Sequence, residues 1–184
     1  SKSQTQPIIG TQINIHYKGH VGKIPLFAKD LEGYKNLIKL SSKSFIEIKD
    51  TEEPHCEIED LEKYSNGLIL LTGSLDGFFG KLFSKNLTDE IFDLVTRLKK
   101  VFKDNLYLEI QRHEDVGEKL FEKFLLNTAE KINLPIIATN EVYYLDKDMH
   151  EAHDAYLCIG EKTYVNVKER SKYSNQHYLK NSQE

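Results

Sequence analysis

Three places in the sequence set polar, reactive side chains directly behind a short apolar run. Ser74 follows Leu68-Ile69-Leu70-Leu71, Gln111 and His113 follow the run that begins at Leu106, and Asn140, Glu141 and Tyr143 follow Pro135-Ile136-Ile137-Ala138-Thr139. In parallel α/β architectures the carboxyl ends of neighbouring strands face one ligand crevice, so side chains in these positions can converge on a substrate or an ion. The same amides and hydroxyl serve equally to satisfy loop backbone groups, and the residues alone favour that plainer role for Asn140, Gln111 and Ser74.

The histidines offer less. His16 and His20 are four apart, but His16 falls in a strand pattern and Gly19 precedes His20, so they share no helical face. His150 and His153 are three apart on an expected helix and could reach one cation. His153 also lies in line with Met149, Ala152, Tyr156 and Leu157, which favours packing. His113 alone stands just past a buried strand, which makes it a candidate site residue, whereas His55 and His177 sit in charged or polar segments and read as solvated. No GxSxG, Walker, HExxH or GxGxxG pattern occurs, and Gly73-Ser74 has no His and Asp at a recognisable spacing, which argues against a serine hydrolase. Cys56 and Cys158 form no CxxC pair, so neither a disulfide scaffold nor a zinc ribbon is expected, and a reducing compartment is the default.

The elements that must position these residues follow from hydrophobic periodicity. Residues 12–17 alternate with period two and predict a strand, broken by Lys18 and Gly19; residues 24–28 form a second short apolar run. Asp30 can cap a helix whose Leu31, Tyr34, Leu37, Ile38 and Phe45 fall near one face. Residues 48–63 carry Asp50, Glu52, Glu53, Glu57, Glu59, Asp60 and Glu62, which suits a solvated connection with a short helix. Residues 68–71 read as a strand buried on both faces. Residues 88–102 predict a helix with Thr88 as N-cap and Ile91, Phe92, Leu94, Val95, Leu98, Val101 and Phe102 on its stripe. A strand over 106–111, a helix over 116–132 with Leu120, Phe121, Phe124, Leu125 and Ala129 inward, a buried strand over 135–139 and a short helix over 148–159 complete the pattern, before a polar tail expected to fray. Strands alternating with helices imply right-handed crossovers, parallel pairing and the α/β class.

A chain of 184 residues supports one domain with a real core, and its net charge of -4 gives no bulk attraction for nucleic acid. A mean hydropathy of -0.52 and the lack of an apolar stretch of about twenty residues exclude a membrane-spanning helix. Met149 is the only methionine and no secretory segment opens the sequence, so either processing removed the start or the chain is a piece of a longer protein, the reading that the motifs below favour.

Several short motifs recur in an order that adds more. Gln6-Pro7-Ile8-Ile9-Gly10-Thr11-Gln12, Leu26-Phe27-Ala28 with Gly33-Tyr34-Lys35-Asn36-Leu37, and Gly67-Leu68-Ile69-Leu70-Leu71-Thr72-Gly73 are three of them. Tyr107-Leu108-Glu109-Ile110-Gln111-Arg112-His113, Leu134-Pro135-Ile136-Ile137-Ala138-Thr139-Asn140-Glu141-Val142, Ala152-His153-Asp154-Ala155 and Tyr173-Ser174-Asn175-Gln176-His177-Tyr178-Leu179 follow. Together they resemble the polymerase and histidinol phosphatase (PHP) domain of bacterial DNA polymerase III alpha subunits, over nearly the whole chain. The resemblance implies an irregular parallel (β/α) barrel, here truncated at its N-terminus because the family's first His-x-His motif is missing. It implies a partial PHP domain over residues 1–160 and a polar tail or linker toward the polymerase core over 161–184.

Active PHP domains hold several metal ions for phosphoester hydrolysis, and the resemblance maps their ligand positions onto Gln12, Lys23, Ser74, Glu141 and Tyr143, with His113 a further candidate. Glu141 alone among the first five is a hard ligand at neutral pH; an amide, an ammonium, a hydroxyl and a phenol are not. Lys23 is expected to take the place of a lost ion and pair with Glu141. The implied function is a non-catalytic, cytoplasmic scaffold within the replicative polymerase. Its expected partners are the rest of the alpha subunit, the proofreading exonuclease subunit, and DNA through the parent protein, with no membrane. No cofactor is expected for this chain, and magnesium serves the parent's polymerase core. The alternative is a metal-dependent phosphoesterase or 3'-5' exonuclease of the same family.

Overall fold

The structure, a computed structural model, describes residues 6–46, 52–181 and 183–184. The first residues of the charged stretch that begins at Ile48 lie outside the described residues. In chain order the elements are β1 (Gly10–Tyr17), β2 (His20–Ala28), α1 (Leu31–Ile46), β3 (Cys56–Glu57), α2 (Ile58–Lys63), β4 (Leu68–Leu71), α3 (Phe78–Ser84) and α4 (Thr88–Phe102). Then come β5 (Leu106–Ile110), α5 (Glu118–Ile132), β6 (Ile136–Ala138) and α6 (His150–Glu161).

The six strands form one sheet in the order β3-β1-β2-β4-β5-β6, open among the described residues, with helices packed on it, so the class is α/β as expected. The pairing is mixed rather than wholly parallel. Pairs β1–β3, β4–β5 and β5–β6 are parallel, whereas β2 runs antiparallel to both β1 and β4. The cause is local: Lys18 and Gly19 take φ of 50° and 79°, a two-residue hairpin turn whose twist matches that of the strands, so the apparent break in the sequence reverses the chain.

Asp30 caps α1 as expected, its Oδ1 accepting the Gly33 N–H at 2.9 Å. The buried stripe of α1 is Gly33, Asn36, Leu37, Leu40 and Ser44, and of the apolar residues expected on one face only Leu37 is buried; Phe45 is 69% exposed. Gly33 sets this rotation. A Cβ there would lie 1.8 Å from the Gly67 carbonyl oxygen, so backbone meets backbone and the helix turns its small face to the sheet. Helix α4 has the expected bounds and buries Ile91, Leu94, Val95, Leu98 and Phe102, but its N-cap is Leu87 rather than Thr88. In α5 Phe121, Leu125 and Ala129 are buried while Leu120 faces out.

Strand β6 is a further correction: Ile136 and Ala138 are exposed, because β6 ends the sheet and pairs only with β5 among the described residues. Helix α3 and the two-residue β3 were not legible in the sequence. Beyond α6 no regular element follows among the described residues, yet the stretch is tied down. Arg170 grips Asp154 through two 2.5 Å hydrogen bonds, Tyr178 bridges to Tyr144, and His177 is buried at 2% exposure, contrary to the solvated position expected for it.

Candidate functional site: a cavity at the strand ends

The register of the sheet gathers the site. Gln12 pairs with Pro25 and Asn14 with Lys23 in the hairpin, and Leu26 pairs with Leu70 across β2–β4. Continuing that ladder sets Lys23 beside Gly73, where a Cβ would lie 3.7 Å from the Lys23 carbonyl oxygen. Parallel pairing of Leu70 with Leu106 and of Ile110 with Ala138 then aligns the carboxyl ends of β4, β5 and β6. A cavity of about 770 Å³ opens along this rim. Gln12, Lys23, Ser74, Glu141 and Tyr143 all line it, together with Gln111, Asn140, Asp76, Lys81 and Glu109.

Glu109, which the sequence reading left without a role, is the most deeply held charge in the wall at 4% exposure. Its carboxylate accepts the Gly73 N–H at 3.0 Å, the Gln111 amide at 3.1 Å and the Thr139 hydroxyl. Gly73 has a φ of 82°, and this left-handed turn is what aims its N–H at Glu109. The Thr72 hydroxyl in turn accepts the Glu109 N–H at 2.9 Å. A buried carboxylate with three donors is satisfied without a cation. An acid inside an apolar strand was the available signal.

Tyr143 is held as a neutral phenol. Burial first, then its hydrogen bond to Glu141 and the proximity of that carboxylate, then Tyr173, push its pKa well above the ordinary phenol value. The expected Lys23–Glu141 ion pair is not formed: none joins these two within 4 Å among the described residues, and Glu141 engages the Tyr143 hydroxyl instead. The two share the cavity without meeting.

His113 is placed differently from the other candidates. It does not line the cavity; it is 2% exposed and stacks on His177 with centroids 4.0 Å apart and planes within 10°. Its Nε2 lies 3.0 Å from Asn140 Oδ1. The carboxylate of Glu118 accepts the His113 N–H at 2.8 and 2.9 Å and the Glu114 N–H at 2.9 Å, which tightens the loop leading into α5. Burial, then the neighbouring His113, holds the His177 pKa below its ordinary value; burial, then Glu118, raises that of Asp115. His150 and His153 do not converge on one point: His150 Nε2 donates to the Tyr173 carbonyl at 2.9 Å, and His153 stacks on Tyr143 at 5.5 Å.

A polynuclear centre needs several anionic or imidazole donors aimed at one space. The cavity offers amides, hydroxyls, phenols, two ammonium groups and, in Glu109, a carboxylate saturated by hydrogen bonds. That donor set does not suit such a centre; Glu141, Asp76 and Glu53 are the hard ligands left near the rim.

The sequence that builds this sheet has a counterpart among known families. A model of the PHP domain matches residues 1–113, more than half of the chain, and the chain belongs to the PHP domain family. At the level of single proteins, it is 38% identical over 184 residues to the DNA polymerase III subunit alpha of Rickettsia bellii and 37% identical over the same length to that of Rickettsia prowazekii. It is 33% identical over 187 residues, 97% of this chain, to the same subunit of Caulobacter vibrioides. The chain spans 16% of the length of each of these relatives.

Proposed function

We propose that this chain forms the non-catalytic PHP portion of a replicative DNA polymerase III alpha subunit, a cytoplasmic scaffold for the rest of that subunit and a docking surface for its proofreading partner. The observation that carries the reading is the composition of the cavity rim. Relatives over the whole chain are alpha subunits, and at the rim Lys23 and Lys81 bring positive charge to a space where hydrolysis would need cations held by anions. Two ammonium groups oppose a divalent ion electrostatically, and Glu141, Asp76 and Glu53, the last already accepting from Asn14, leave much of a polynuclear coordination sphere unfilled.

Magnesium for nucleotide addition then belongs to the polymerase core of the longer protein, and contact with DNA is made through that protein. No helix among the described residues is long and apolar enough to cross a membrane. The test is hydrolysis of a 3'-labelled oligonucleotide and of p-nitrophenyl phosphate by the chain in manganese. The expected result is no turnover above a Glu141→Gln control. Turnover that disappears with a chelator and with Glu141→Gln would establish the phosphoesterase instead.

A further inference from the structure

Two imidazoles and a carboxylate meet outside the cavity lining. His113, Asp115 and His177 each offer one donor atom, and the three atoms lie within 4.8 Å of one another. The hydrogen bonds bear on the tautomers of both rings. Asn140 Nδ2 donates to the Tyr178 carbonyl at 2.8 Å, which turns its Oδ1 toward His113 Nε2 at 3.0 Å; this contact calls for a proton there, against the longer 3.3 Å approach of the Glu141 N–H to the same nitrogen. The Glu141 carbonyl, 3.1 Å from His177 Nδ1, can only accept, so that nitrogen also carries its proton. With that proton on Nε2 the lone pairs fall on His113 Nδ1, which lies 3.7 Å from the Glu118 carboxylate, and on His177 Nε2. The latter is buried and has no hydrogen-bond partner among the described residues, the condition in which a polar atom is rarely left.

We infer that His113, Asp115 and His177 form a site for one divalent cation of the zinc class, held by His113 Nδ1, an Asp115 carboxylate oxygen and His177 Nε2. Two neutral imidazoles and one carboxylate select zinc over magnesium or calcium, which prefer all-oxygen spheres. Bonds of about 2.1 Å in tetrahedral geometry set donors roughly 3.4 Å apart, and because each lone pair lies in its ring plane the two imidazoles must rotate out of their stacked arrangement to aim at one ion. The ring N–H groups donating to Asn140 and to the Glu141 carbonyl are the outer contacts that orient metal-binding histidines. Glu118 fixes the backbone between the first two donors.

The cationic side chains nearby are committed elsewhere, Arg112 to Glu122 at 2.7 Å and Lys180 to Asn140 Oδ1 at 3.2 Å. None of the three donors lines the cavity, and Asp115 and His177 lie beyond the residues matched by the PHP model. An ion here ties the stretch after α6 to the end of β5 and needs no hydrolytic role.

Calorimetric titration of the chain with zinc chloride, paired with visible spectra in cobalt, tests the site. One equivalent of zinc should bind, and cobalt should give the intense bands of a tetrahedral nitrogen and oxygen environment. Asp115→Asn, at a solvent-accessible position and expected to leave circular dichroism unchanged, should weaken zinc at least tenfold; His177→Gln should abolish binding; Glu141→Gln should leave it intact. A wild-type chain that takes up no stoichiometric zinc, or either of the first two variants binding undiminished, overturns the inference. So does loss of zinc in Glu141→Gln, which would put the ion in the cavity.

Discussion

Replacing Glu109 by alanine separates a structural carboxylate from a lapsed metal ligand by the sign of its effect. The substitution removes the acceptor of the Gly73 N–H, the Gln111 amide and the Thr139 hydroxyl at a residue 4% exposed. A buried donor left without a partner costs about 1–3 kcal/mol, and neighbours that share one acceptor do not add fully, so the expected loss is about 3–5 kcal/mol. For a chain of this length each 1 kcal/mol is about 2–4 °C, which puts the melting transition roughly 6–20 °C lower. Urea unfolding followed by circular dichroism measures it. A carboxylate kept for an ion behaves oppositely, since its removal relieves repulsion and stabilises the ion-free protein. A Glu109→Ala variant as stable as the wild type, or more so, would refute the assignment of Glu109 to the hydrogen-bonded wall.

Gly33→Ala should destabilise by at least about 2 kcal/mol despite the better helix propensity of alanine, because its Cβ would stand 1.8 Å from the Gly67 carbonyl oxygen; chemical denaturation reads this out. The hydrogen bonds from Arg170 hold the Asp154 pKa below the usual carboxylate value. The pair therefore contributes fully above the unfolded value of about 3.9 and is lost as pH falls through the lower folded value. Asp154→Asn should be less stable than wild type at neutral pH, with the difference shrinking as acid protonates the wild-type carboxylate, measured by urea midpoints from pH 7 down to about 2.5.

Much of the scaffold was legible because periodicity reports burial directly: the bounds of α4 match the expected helix, and β1, β4 and β5 fall where the apolar runs stand. The face of α1 was misjudged because hydrophobicity marked Leu31, Ile38 and Phe45, while the decisive constraint was a backbone contact between Gly33 and Gly67, which a hydrophobic pattern does not encode. The β2 direction was missed since Lys18-Gly19 reads as an end unless its turn geometry is considered. The resemblance placed all five rim residues on one cavity, but the Lys23–Glu141 pair failed because charge opposition in a list says nothing of reach. His177 carried no local signal at all; only the folded path of the stretch after α6 brings it against His113.

The hairpin and the parallel half of the sheet are joined by a seam of three rungs, Leu26 with Leu70, Phe27 with Ile69 and Ala28 with Leu68. Gln12 and Lys23 stand on one side of that seam, and Ser74, Gln111 and Glu141 on the other. The width of the cavity thus follows the sheet twist at this short joint, which α1 braces by packing against both β2 and β4.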